Sequence, residues 1–177
     1  MPIEIADKFG ATRIASSGVF QVMSAPEASS GRIEAIFITR QRHGTPEAVA
    51  EARAVPRCGL EGHKNFVADG HKDPGKELTL IASEMLDLLA REHGIPLGGC
   101  ESRRNVLTSG IDLNALVGRE FQLGAVRAKG IRLCEPCSDL VAYTGKNVLP
   151  AMVHRGGLRA SILTEGLIRP GDPIRAL

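Results

Sequence analysis

Glycine and proline interrupt the apolar runs of this chain so regularly that most runs have room for a short strand and little else. The 177 residues include 20 glycines and 10 prolines. From Arg32, "RIEAIFITR" alternates Ile33, Ala35 and Phe37 with polar neighbours and continues through Ile36 and Ile38, the pattern of a mostly buried strand. "AVAEARAV" (48–55) is confined between Pro46 and Pro56 and reads as a second strand. A Gly/Asp/Pro-rich loop at 69–75 precedes a strand at Glu77–Ile81. "NVLTSGIDLNALVG" reads as a strand and a short helical or turn segment. "REFQLGAVRAKGIRL" gives two strand-like stretches broken by Gly124 and Gly130, and "LRASILTEG" and "DPIRAL" read as closing strands.

One segment carries strong helical signals. Ser83 can cap it, Glu84 sits in the first turn, Met85, Leu88 and Leu89 share a face, and Gly94 can end it in the left-handed conformation. "SDLVAYTG" and "VLPAMVHRGG" can each form a short helix. The expected fold class is therefore mostly β (α+β): a closed or nearly closed β-barrel with one clear helix and a few short peripheral helices. Residues 1–31, rich in Ala, Ser and Gly, read as an irregular N-terminal arm with one short strand at Val19–Val22, and 32–177 as a single domain.

Several function classes recede on composition. A net charge of +2, spread along the chain, gives no electrostatic reason for a nucleic-acid partner. Five Phe, one Tyr and no Trp make a stacking platform improbable. No apolar window approaches the roughly 18 residues of a membrane span, and Glu4 and Asp7 stand where a signal peptide needs a basic start. The expectation is a cytoplasmic protein with no membrane partner. No GxxxxGK[ST] loop, GxGxxG turn or GxSxG elbow is present.

In that compartment four cysteines read as thiols, metal ligands or catalytic groups rather than a disulfide framework. Cys134 and Cys137 form one close pair, whereas Cys58 and Cys100 lie far from it and from each other, which disfavours a structural zinc site. "LCEPCSDLVAY" has the local shape of a redox pair at a helix start, but the chain lacks the alternating strand–helix units of a thioredoxin fold. Cys137 precedes "SDLVAY", so the helix dipole and free backbone N–H groups can favour its thiolate, with Arg132 nearby. Cys134 reads as a small buried hydrophobe on a strand, and Cys58 and Cys100 as buried or incidental.

Five segments occur together in order: "GLEGH" (59–63), "KELTLIASE" (76–84), "RRNVLTSGIDLNALVGREFQLG" (103–124), "LCEPCSDL" (133–140) and "RGGLRASILTEGLIRPGDPI" (155–174). With them the chain from about Arg32 resembles the MOSC domain, the C-terminal part of molybdenum-cofactor sulfurases, found also as small stand-alone bacterial proteins. The resemblance implies a β-barrel and a functional cysteine, which position assigns to Cys137. That thiolate would ligate molybdenum in the molybdenum cofactor (molybdopterin), or carry sulfur as a persulfide.

Arg103 and Asn105 stand at the family's Arg-x-Asn position and would bind the cofactor; Arg104 reads as a solvated surface group. Ser83 and Thr79 could add hydroxyl contacts, though Ser83 also suits a plain helix cap. Where many members read Gly-Asp-x-His, this chain has "GHKN", so His63 replaces the acid and Asn65 the histidine. His71, in the adjacent loop, could compensate, and both histidines could equally be solvated; His154 reads as surface. Three functions follow from the resemblance: reduction of N-hydroxylated or N-oxygenated compounds, sulfur transfer independent of pyridoxal phosphate, or non-catalytic carriage of the cofactor. A separate redox partner or sulfur-donor protein is expected for either of the first two.

Overall fold

Leu78 and Leu80 are fully buried in the central core while Thr79 and Ile81, between and beyond them, face the other way. That alternation on one strand divides the protein into an inside and an outside. In the computed structural model, which describes residues 30–42 and 44–177, the strand carrying these residues is β5 (Leu78–Ala82). The strand expected at Val19–Val22 lies outside the described residues.

Seven strands close into a barrel. In order around it they are β11 (Pro173–Ala176), β7 (Glu120–Leu123), β8 (Val126–Leu133), β9 (Leu158–Ile162), β5, β6 (Val106–Ser109) and β1 (Ser30–Ile38). Pairing of β1 with β11, Ser30 opposite Arg175 and Arg32 opposite Pro173, closes the ring. The far end of β1 also pairs with β2 (Glu47–Val49). Closure leaves the barrel strands without free edges. The inward residues, among them Ile33, Ile36, Leu78, Leu80, Val106, Phe121, Val126, Leu158 and Ile174, form one continuous core. The expected mostly-β barrel is thus observed.

All barrel pairings are antiparallel except β5 with β6. A parallel pair needs a crossover, and here α1 (Ser83–His93) supplies it. Met85, Leu86 and Leu89 of α1 pack with Ile81, Leu97, Leu140, Val148 and Met152 into a second core on the barrel's outer wall. Two shorter helices, α2 (Ser138–Thr144) and α3 (Leu149–Met152), complete that layer. No helix among the described residues is long and apolar enough to cross a membrane.

Gly94 ends α1 as expected, with φ 63° and its N–H donated to the Leu89 carbonyl. The start differs: Ala82 holds the cap position, and the Ser83 hydroxyl, already inside the helix, meets Glu84 at 3.4 Å. Because β5 runs directly into α1, no loop residue is left to serve as a capping side chain. The segment 48–55 is also two strands rather than one. After β2 the chain turns at Ala50 and Glu51 into β3 (Ala52–Val55), which joins β4 (Gly59–Leu60) and β10 (Gly166–Ile168) in a separate small sheet. Ala52 and Ala54 thereby reach the core that β2 covers only partly. Gly130 shifts the β8–β9 register, and a Cβ there would strike the Leu116 backbone at the 3-10 turn Asn114–Leu116.

Candidate functional site

The outward face of β5 and β9 is polar where it is not covered by helices. Thr79 and Arg159 are direct antiparallel partners, so their side chains stand together on the outer wall. Asn105, just before β6, joins them: its N–H donates to Thr79 Oγ1 at 3.0 Å, and the Thr79 hydroxyl donates to Asn105 Oδ1 at 2.9 Å. These residues form the floor of a cavity of about 570 Å³, a size suited to a small organic ligand.

The loop before β5 forms one wall. Lys64 N–H donates to the Thr39 carbonyl at 2.7 Å, and Thr39 N–H donates to His63 Nδ1 at 3.0 Å. The loop thereby takes the place of a pairing strand beyond the end of β1. Burial, with Lys64, Lys72 and Arg103 nearby, pushes the His63 pKa down to about 4. Burial, with Arg103 and Arg42 nearby, also lowers Lys64; Lys72 is lowered mainly by burial, against a raising contribution from Glu77.

The cavity lining contains Lys64, Lys72, Lys76, Arg103, Arg104 and Arg159 against a single carboxylate, Glu77. One oxygen of Glu77 is engaged elsewhere: Oε2 accepts the backbone N–H groups of Arg57 at 2.9 Å and Ile162 at 3.0 Å. Lys76 pairs with Asp73 at 2.6 Å. Among the described residues none of Lys64, Lys72, Arg103, Arg104 and Arg159 has a carboxylate partner. Arg159 Nε is buried with no hydrogen-bond acceptor at all. A buried donor left unpaired costs about 1–3 kcal/mol, and the cation-rich wall around it can complement an acceptor-rich, negatively charged group.

Arg103 has left-handed backbone (φ 57°) and its guanidinium stacks over the Tyr143 ring at 4.4 Å. It therefore touches both the cavity and α2. Arg104 is a correction to the sequence reading. It is not solvated but 7 % exposed, and its guanidinium donates to the carbonyls of Gly156 (3.0 Å), Ser102 (3.1 Å) and Cys134 (3.1 Å). The paired arginines of "SRRN" give no hint of this, because two of the three acceptors, Gly156 and Cys134, come from segments distant in sequence.

The two cysteines of "CEPC" are unequal. Cys134 is 1 % exposed, donates its N–H to Gly157, and lines the cavity. Cys137 is exposed, caps α2 with extended backbone (φ −136°, ψ 166°), and accepts from the N–H groups of Leu140 and Val141. Its side chain is not among those lining the cavity. Glu135 between them accepts both the backbone N–H and ring Nδ1 of His154, at 2.8 and 3.0 Å, and the first of these bonds chiefly lowers its pKa. His154 is on the surface, as expected, but it anchors this segment.

Of the residues singled out from sequence, Arg103, Asn105, His63 and Thr79 converge on the cavity. Ser83 does not line it, and His71 lies in a neighbouring depression with Arg57, Asp73 and Ser161. Lys64, Lys72, Arg104, Arg159 and Cys134 were not foreseen as part of the site. A charged residue between Leu158 and Ala160 marks Arg159 as outward-facing, but only the β5–β9 register brings it beside Thr79.

A family model described as "MOSC domain" matches residues 67–175. Among solved structures, the YuaD protein from Bacillus subtilis superposes with TM-score 0.69 at 15% identity, over 83% of this chain and 95% of that one. YiiM from Geobacillus stearothermophilus gives 0.66 at 18% identity, over 83% and 75%. YiiM from Escherichia coli gives 0.61 at 19% identity, over 82% and 69%. At such identities the likeness speaks for the fold. A search among curated proteins found no match.

Proposed function

The chain belongs to the MOSC domain family, and from that premise we propose that it binds the molybdenum cofactor in the cation-lined cavity beside "CEPC", with Cys137 as its working thiolate. The observation that carries this reading is the set of cations without carboxylate partners, with Arg159 Nε buried and unsatisfied among them. The donor set fits the group. Lys64, Lys72, Arg103 and Arg159 would hold a pterin phosphate, for which planar guanidinium forks and ammonium groups are suited. The Thr79–Asn105 pair sets the floor against which the pterin would lie.

When bound, the cofactor supplies a two-electron redox centre. The chain's own residues orient it and limit solvent access. Arg104 holds the Cys134 carbonyl, Glu135 and His154 hold the following residue, and the segment presents Cys137 at the start of α2. A soft thiolate there is suited to ligating molybdenum or to holding a sulfane sulfur atom. As metal ligand it would serve reduction of N-hydroxylated or N-oxygenated compounds, with electrons from a separate redox protein. One observation favours the sulfur-carrier reading. Cys137 is exposed and outside the cavity lining, where a donor protein can reach it. A cytoplasmic location is part of the proposal.

The test is the metal, pterin and sulfur content of protein purified from a host that makes the cofactor. Molybdenum at about one per chain that is lost in Cys137→Ala supports the ligand role. A persulfide on Cys137 without molybdenum supports sulfur transfer. Molybdenum retained in Cys137→Ala, with activity absent throughout, would indicate a cofactor carrier. No molybdenum, pterin or persulfide under any of these conditions overturns the proposal.

A further inference from the structure

The hydrogen bond at His63 decides more than the position of its ring. A backbone N–H can only donate, so Nδ1, 3.0 Å from Thr39 N, must be the unprotonated nitrogen. The ring proton then sits on Nε2, and the doubly protonated ring would have to give up the Thr39 bond. Burial and three cationic neighbours act in the same direction. His63 is thus a neutral side chain whose one unspoken-for polar group is a donor.

The other groups around the cavity have been sorted the same way by their own bonds. Asn105 Oδ1 is taken by the Thr79 hydroxyl, Thr79 Oγ1 by the Asn105 N–H, and Glu77 Oε2 by two backbone N–H groups. What remains toward the ligand is mostly donors, on Lys64, Arg103, Arg159 and His63, against two acceptors without a bond among the described residues, the Asn65 amide oxygen and Glu77 Oε1. A lining that offers many donors and few free acceptors disfavours a ligand group that must itself donate.

We propose that His63, fixed as the Nε2–H tautomer by the Thr39 backbone, is a specificity-determining residue that makes this cavity selective for a doubly charged tetrahedral oxyanion over a carboxylate or a protonated amine. A tetrahedral dianion offers several acceptor oxygens to donors arriving from the loop wall, the 103–105 turn and β9. A planar monoanion satisfies fewer of them, and an ammonium group, which can only donate, meets mostly donors and positive charge. The inference rests on the reading of this cavity as the ligand site, and narrows the ligand's chemistry there.

Inorganic phosphate is the probe, titrated calorimetrically into full-length protein made in a host lacking the cofactor, at pH 7.5, with acetate as the comparison anion. One phosphate binds per chain, at least tenfold tighter than acetate. His63→Gln, whose amide can still donate, stays within about threefold; His63→Ala loses about tenfold, and His63→Asp more than thirtyfold, as expected for one charge-assisted bond lost and then replaced by repulsion. Circular dichroism and thermal unfolding confirm that each variant is folded. Independently, nitrogen-15 spectra show Nδ1 unprotonated and Nε2 protonated, with the Nε2 resonance moving on phosphate addition, which a merely structural histidine would not do.

Phosphate binding that is absent, no tighter than acetate, or unchanged in both His63→Ala and His63→Asp overturns the inference. Molybdenum content measured on cofactor-competent preparations separates the two claims. Cofactor retained without His63-dependent phosphate binding sinks this inference alone, and His63-dependent phosphate binding in protein that never holds molybdenum sinks the cofactor reading alone.

Discussion

Replacing Arg104 by methionine should destabilise the protein more than any other single change in the site. The side chain is 7 % exposed and donates to three carbonyls, those of Gly156, Ser102 and Cys134. Methionine keeps most of the length and apolar volume but leaves the three acceptors without partners. An orphaned buried acceptor costs about 1–3 kcal/mol. Relief from burying an uncompensated guanidinium offsets part of that sum, and water entering from the cavity can satisfy part of the rest. The net loss is about 3–5 kcal/mol, which for a chain of this size lowers Tm by roughly 10 °C. Arg104→Lys, a compact cation that cannot span three acceptors, should lose about half as much. Urea unfolding followed by circular dichroism measures both. A loss below about 1 kcal/mol for methionine would refute the argument, because it would mean the three bonds hold nothing together.

Three further outcomes are expected. His63 is held near pH 4 against an ordinary 6.5, so the unfolded chain takes the proton first. The stability this provides is complete above pH about 6.5 and is lost as pH falls toward 4, by about 1–2 kcal/mol after allowance for solvent screening; His63→Gln should flatten that slope in unfolding curves measured across the window. Thiol labelling of the native protein should modify the exposed Cys137 first and the half-buried Cys100 more slowly, while Cys58 and Cys134 react only as the protein unfolds; native-state mass spectrometry that finds Cys134 labelled as fast as Cys137 would contradict the burial. Gly157→Ala should destabilise by about 2–4 kcal/mol, since φ is 108° and the new methyl would run into the Leu80 carbonyl oxygen, a backbone atom that cannot step aside.

The barrel was legible in the sequence because its strands are short, alternating and separated by glycine, and α1 because its apolar face and terminal Gly94 agree. The β2–β3 break was not, since Ala48–Val55 has no glycine or proline at the place where the chain changes sheets. Arg103 and Asn105 were reachable through a family resemblance. Arg104 and Arg159 were not, because their roles depend on acceptors and neighbours supplied by β5, β9 and the "CEPC" segment. Charge alternation identifies outward positions; it does not say which outward positions another element will cover. Cys134 shows the same limit. Its burial follows from a strand end, whereas its place on the cavity wall follows from which strands pair.

The closure of β1 on β11 also sets how the chain must come off the ribosome. Ile33 exchanges backbone bonds with Asp172 and Gly171, nearly the full length of the domain away. At roughly 5–20 residues per second, the edge of β1 waits about 10–30 s for its partner to be synthesised. During that time its apolar run from Ile33 to Ile38 is a strand with an open flank, the kind of segment that chaperones recognise and that pairs with other nascent chains. The seam that leaves the finished barrel without an edge therefore cannot form until β11 has been made, and until then the open flank of β1 is the barrel's exposed edge.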